Sequence, residues 1–208
     1  NFDGKEANFI LSKNNANHFG LFNYLGKNAV IKNIIVSGQI TGTSYLAAVA
    51  VRNEGLVENV ESFVTITSNE GNSIAGIVSV NSGVIKNARN KGTINTTSTF
   101  VGGIVAENEG IIEHSYNKAL ITGLTLVAGI AAKNQDTIYA SYNTANILGE
   151  SHIGGITGEN LGIINEVFNS GNIEALNSIA GGIAGSNTAL NNNNGQINNA
   201  YNTGMIKA

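Results

Sequence analysis

Apolar and polar positions alternate in short bursts along the whole chain, and the bursts repeat. Asparagine recurs at Asn53, Asn81, Asn108, Asn134, Asn160 and Asn187, at gaps of 28, 27, 26, 26 and 27 residues. Four residues before it stand Val49, Ile77, Ile104, Ile130, Ile156 and Ile183, and four after it Val57, Ile85, Ile112, Ile138 and Ile164. Thirteen after it come Ile66, Ile94, Ile121, Ile147 and Ile173. Each repeat therefore holds three short apolar segments separated by Gly, Asn, Ser and Thr, the residues of turns. β-Branched Ile and Val dominate the apolar set, and no window carries the i, i+3, i+4, i+7 spacing of a helix.

So short a strand cannot bury its inward face alone. Three of them close a coil, and coils stacked about 4.8 Å apart pair each strand with its copies above and below. The pattern predicts an all-β fold, a parallel β-helix (β-solenoid) of about seven coils of 26–28 residues with three short strands each. The handedness preference of parallel crossovers makes it right-handed. One domain spans residues 1–208, with capping coils over 1–47, regular repeats over 48–187 and a last coil over 188–208. Upstream, Val30-Ile31-Lys32-Asn33 aligns with Leu56-Val57-Glu58-Asn59, and Gly20-Leu21-Phe22-Asn23-Tyr24 opens that coil. Downstream, Asn202 resumes the pattern six residues late, so the asparagine-rich insertion within Thr188 to Asn194 projects as a loop.

A second polar column lies nine residues after the first, at Asn90, Asn117, Asn143 and Asn169. Asparagine at a turn adopts left-handed backbone and bonds nearby main chain, and stacked copies bond one another along the axis. Both columns are thus expected as structural ladders; a sugar-binding polar groove is the alternative. Tyr116, Tyr142 and Phe168 precede the second column, with Tyr201 after the insertion. Inward stacking at a corner is the favoured reading of this row. As the alternative, Tyr116, Tyr142 and Tyr201 are the candidate ligand contacts.

Composition narrows the functional classes. Charged residues are 12% of the chain, the net charge is −3, and the basic residues are scattered singly. A nucleic-acid partner needs a basic stripe, which this pattern lacks. No apolar run reaches the roughly 18 residues of a membrane helix, so membrane insertion is not expected. Cysteine is absent, which excludes thiolate chemistry. The chain starts at Asn1 without a signal peptide, and it reads as a segment of a longer protein whose flanking domains adjoin both ends.

Chemistry-bearing residues do not converge in this pattern. His18, His114 and His152 sit in different contexts, with His114 in the column of Asn59 and Asn87, so no metal site or cofactor is expected. Many β-helices cleave polysaccharides, and hydrolysis needs two facing carboxylates. Glu107 and Glu159 share a column, but Lys133 occupies the coil between them, which reads as an exposed charge ladder. A polysaccharide lyase or glycosidase is therefore the alternative function, with no catalytic residue assigned. An ice-binding threonine array fails as well, because Thr65 and Thr93 are continued by Leu120, Asn146 and Asn172.

Three copies carry a family resemblance. Gly102-Gly103-Ile104-Val105-Ala106-Glu107-Asn108-Glu109-Gly110-Ile111-Ile112, the run Gly154 to Ile164 and Gly181-Gly182-Ile183-Ala184-Gly185-Ser186-Asn187 resemble the GLUG repeat, in outline G-aliphatic-x-G-x-N-x-G-x-I. The sequence departs from that outline at Asp136-Thr137, where a glycine is expected, and around Arg52-Asn53. The resemblance implies an extracellular or cell-surface region of a bacterial protein, as in large adhesins and streptococcal immunoglobulin A proteases, whose zinc site lies in a separate H-E-x-x-H domain. By that resemblance the segment is non-enzymatic and acts as a rigid spacer or an adhesion module that contacts host glycan or protein.

Overall fold

The computed structural model describes residues 1–190 and 193–208, with the side chains of Leu190, Asn193 and Asn194 left aside. Among the described residues the chain is a parallel β-solenoid of about seven turns, built on three parallel sheets. One turn runs through strands Thr99–Gly102, Val105–Asn108, Ile111–Glu113, Tyr116–Asn117 and Ile121–Thr122. The first belongs to a six-stranded sheet, the second to a seven-stranded sheet, and the rest to a long sheet of fifteen strands. This coil thus carries five strand segments where three were expected, whereas Ala50–Asn53, Leu56–Ser68 and Asn72–Ala75 make a coil of three. The long sheet is bent locally. Asn33, Asn59, Asn87, His114, Ala140, Glu166 and Asn199 share one column and all hold φ between 46° and 56°. That left-handed residue bends the long sheet within every coil.

Register follows the sequence columns. Asn53 pairs with Asn81, Asn81 with Asn108, Asn108 with Asn134, Asn134 with Asn160, and Asn160 with Asn187. Val57, Ile85, Ile112, Ile138 and Ile164 form one interior stack, and Ile66, Ile94, Ile121, Ile147 and Ile173 another. Ile77, Ile104, Ile130 and Ile156 form a third, and all are fully buried. Each such side chain gains roughly 1.5–3 kcal/mol from burial before entropy is counted. The matched capping coil is also in register, with Ile31 on Val57, Ile40 on Ile66 and Phe22 on Ala50. Ahead of it, strand Phe2–Ala16 lies on Val30–Gly42 as a partial coil.

The last turn resumes as Tyr201 on Phe168 and Asn202 on Asn169. Within the insertion, Ala189–Leu190 pairs antiparallel with Asn193–Asn194 as a two-stranded ribbon. The tip of the expected loop, residues 191 and 192, lies outside the described residues.

Candidate ligand-binding face

The two asparagine columns point inward. Asn81, Asn108, Asn134, Asn160, Asn90, Asn117, Asn143 and Asn169 are fully buried, whereas Asn187 is exposed on the last coil. In the first column each Nδ2 donates to the Oδ1 of the next coil's asparagine, from Asn53 to Asn187, at 2.8–2.9 Å. In the second the same chain runs from Asn90 through Asn117, Asn143 and Asn169 to Asn202 at 2.7–2.9 Å. The remaining amide hydrogen goes to the carbonyl two residues on, as from Asn117 to Ala119 at 2.9 Å. These groups are satisfied inside the core, as buried amides must be. They are structural ladders and line no groove.

One expectation about them is corrected. The second column does not carry the left-handed backbone; the column of Asn33, Asn59 and Asn87, three residues earlier, does. Those three form an exposed ladder of their own, Asn87 to Asn59 at 3.1 Å, Asn59 to Asn33 at 3.2 Å and Asn33 to Asp3 at 3.0 Å. Its donors point toward the N-terminus, opposite to the buried ladders. His114 stands at the next rung of this column, its ring edge-on to Tyr139 at 5.7 Å.

The aromatic row is corrected too. Each of Tyr116, Tyr142, Phe168 and Tyr201 precedes an inward asparagine, and strand alternation turns it outward. The rings stack in parallel along the axis, with centroids 4.8, 4.7 and 5.3 Å apart. Tyr201, on the last coil, is 58% exposed. Tyr116 and Tyr142 are thus brought together with Tyr201, and Phe168 completes the row between them. Stacking occupies the ring faces, so edges and hydroxyls meet solvent. Burial, and next the neighbouring Tyr116, push the Tyr142 phenol above its usual value.

Sequence reasoning missed what borders the row. The residue after each inward asparagine also points outward, giving the column Lys91, Lys118, Thr144, Ser170 and Thr203, all exposed. At the N-terminal end of the row Arg89 Cζ lies 5.9 Å and Lys118 Nζ 5.0 Å from the Tyr116 ring centroid. Lys91 sits 5.2 Å from the Phe63 ring and is paired with Glu61, whose hydrogen bond raises the lysine pKa. Lys86 and Glu113 pair at 3.1 Å on the adjacent column. The signal was present as the position following the second asparagine, but one column of mixed chemistry does not stand out without its register.

The carboxylates take structural partners. Glu107 accepts a hydrogen bond from the Ser73 hydroxyl, while Lys133 stands between the two glutamates and pairs with Glu159 at 3.8 Å. The Glu166 carboxylate raises the Tyr139 phenol pKa, and Tyr24 donates to Glu54 at 2.9 Å with the same effect. Among the described residues no group of three or more His, Cys, Asp or Glu is placed to hold a metal ion. A depression of about 420 Å³ at the N-terminal end is lined by polar residues including Asn15, Thr41, Thr67 and Glu70, away from the aromatic row. No helix of the described residues is long and apolar enough to cross a membrane. In comparison with known proteins, the chain matches no protein-family model, no curated protein and no solved structure.

Proposed function

We propose that the chain is a non-enzymatic segment of a bacterial extracellular or cell-surface protein, with coils of the GLUG type. It holds flanking domains apart as a rigid rod and offers its outward aromatic face to host glycan or protein. One observation carries this reading: the side chains with chemistry repeat along the axis and bond to their own copies, coil after coil. Two buried amide ladders and an aromatic stack fix the distance and twist between coils, which favours reach and rigidity. An extended ligand laid along the axis meets an aromatic ring at each of four successive coils, which suits avid, linear recognition.

The test is a binding screen of the folded chain against host glycans, matrix proteins and immunoglobulin A. A specific ligand is expected, weakened by Tyr201→Ala, which leaves the buried ladders in place. Cleavage of any polysaccharide that disappears in Glu107→Gln/Glu159→Gln would make the chain an enzyme and overturn the reading.

A further inference from the structure

The aromatic row is not chemically uniform along its length. At its N-terminal end the local charges divide unequally. Glu61, the register neighbour of Arg89, is paired with Lys91, and Glu113 with Lys86, whereas Arg89 and Lys118 make no salt bridge among the described residues. Both are exposed, and both stand over the first ring of the row. Toward the C-terminal end the row continues as Tyr142, Phe168 and Tyr201, flanked by the hydroxyls of Thr144, Ser170 and Thr203. Glu166, in the coil of Phe168, stands three coils away from Arg89 and acts on the Tyr139 phenol, whose pKa it raises.

Ring orientation decides which ligand suits this face. A neutral sugar that binds aromatics does so by laying its C–H face on a ring face. Here the faces of Tyr142 and Phe168 are covered by their neighbours, and those of Tyr116 by Tyr142 and the cations. Apart from the outer face of Tyr201 at the end of the row, what remains exposed is the ring edge, which carries the positive end of the quadrupole and attracts oxygen and negative charge. Burial raises the Tyr142 phenol further above neutral pH, so it adds no negative charge there. Cations, ring edges and hydroxyl donors all favour oxygen-rich, negatively charged ligands.

We propose that this face binds an anionic glycan laid along the solenoid axis. Its carboxylate or sulfate groups meet Arg89 and Lys118, and its hydroxyls meet Thr144, Ser170 and Thr203. Arg89 supplies a planar fork for a carboxylate or sulfate, and Lys118 a mobile point charge beside it. The inference rests on the aromatic face being the binding face, and it names the class of ligand.

The test titrates the intact chain with four probes: a heparin-derived sulfated oligosaccharide, an oligogalacturonate, a neutral cello-oligosaccharide and an oligoglutamate peptide. At least one of the two anionic sugars is expected to bind, and the tighter of them identifies sulfate or carboxylate as the group read. In Arg89→Gln/Lys118→Gln the affinity is expected to fall about tenfold or more, as for the loss of charge-assisted contacts. The exposed pair Lys13→Gln/Lys27→Gln changes the net charge equally and is expected to leave binding within about twofold, because its charges lie outside the contact. Equal losses in both variants would reduce the site to general charge attraction and overturn the proposal. Neutral sugar binding as tight as the anionic, unmoved by Arg89→Gln/Lys118→Gln, would remove the anionic class yet leave a glycan face. Oligoglutamate binding as tightly as the sugars would replace the glycan by an acidic polypeptide. No binding by any of the four would remove both this proposal and the sugar-contact part of the functional reading.

Discussion

Gly129 has no room for a side chain: a Cβ there would stand 2.5 Å from the Asn143 Cγ and 2.5 Å from the Gly155 carbonyl oxygen. The same is true of Gly76 against Asn90, Gly103 against Asn117, Gly155 against Asn169 and Gly182 against Asn202. Each glycine of this column therefore leaves room for a ladder asparagine, fourteen residues on or, for Gly182, twenty, and four of the five also for the carbonyl of the next coil's glycine. The exception supports the rule. Ala48 takes the glycine's place in its coil, and the ladder position opposite it in the sequence is the shorter Ser62, in register with Asn90. Gly129→Ala is accordingly expected to cost about 1–3 kcal/mol by overpacking. The double variant Gly129→Ala/Asn143→Ser is expected to cost less than the sum of its parts, measured by urea denaturation as a double-mutant cycle. Strict additivity would sink the pairing. A second residue-scale effect lies at Ala140, which holds φ at 46° where four of the six other positions of its column use asparagine. Left-handed backbone costs a Cβ-bearing residue about 1–2 kcal/mol, and glycine loses part of that gain to entropy. Ala140→Gly is expected to stabilise by about 0.5–1 kcal/mol; a destabilised variant would show that the turn is unstrained.

At the scale of elements, the N-terminal strand is anchored by a cluster of exposed polar contacts. Asp3 accepts from Asn33 at 3.0 Å and from the Lys5 amide at 3.1 Å, and it pairs with Lys32 at 3.5 Å. These contacts, Asn33 first, lower its carboxyl pKa from the ordinary 3.8. A lowered native pKa means a contribution fully present above the unfolded value and lost as pH falls through the native one. Strand Phe2–Ala16 is therefore expected to loosen below about pH 3.8, ahead of the remaining coils, with the acid step absent in Asp3→Asn. Amide exchange of that strand against pH checks it, and an acid step unchanged in Asp3→Asn would assign the effect elsewhere. The element scale is also where reading from sequence was strongest. Aliphatic columns such as Ile77–Ile156 and the asparagine register were legible because burial imposes one residue type per column. The direction of the tyrosines was not, since a row of rings satisfies either an inward or an outward stack. Alternation settles it only once Asn117 and Asn143 are known to point inward. Arg89 was legible as the residue preceding Asn90 in the same column as Tyr116, whereas Lys118 was not: exposed positions vary from coil to coil, and only the direction of the ring brings it alongside.

For the whole molecule, stability is close to a sum over neighbouring coils, so a central coil gains two interfaces and a terminal coil one. The two ends are not equivalent. At the N-terminus, Phe2 packs edge-on against Phe9 and Phe22, and the outer ladder closes on Asp3. At the C-terminus, the amide of Asn202 bonds only the Gly204 carbonyl beyond its own ladder, while Tyr201, Met205 and Ile206 are 58%, 65% and 47% exposed. Opening is therefore expected to begin at the C-terminal coil. Among long-sheet strands, amides in Gln196–Asn202 and Ile206–Lys207 are expected to exchange fastest, and those from Val84–Asn90 to Ile147–Gly149 slowest. Uniform protection along the axis would mean a single cooperative unit and would end this view. The same gradient reports on the proposed ligand face. A glycan that spans Arg89 to Tyr201 ties a protected coil to an opening one, and it binds the closed form alone. Saturating ligand then raises protection in Gln196–Asn202 in proportion to the logarithm of its concentration. A ligand confined to Arg89 and Lys118 leaves the rate at Tyr201 unchanged, so one exchange measurement separates an extended contact from a local one.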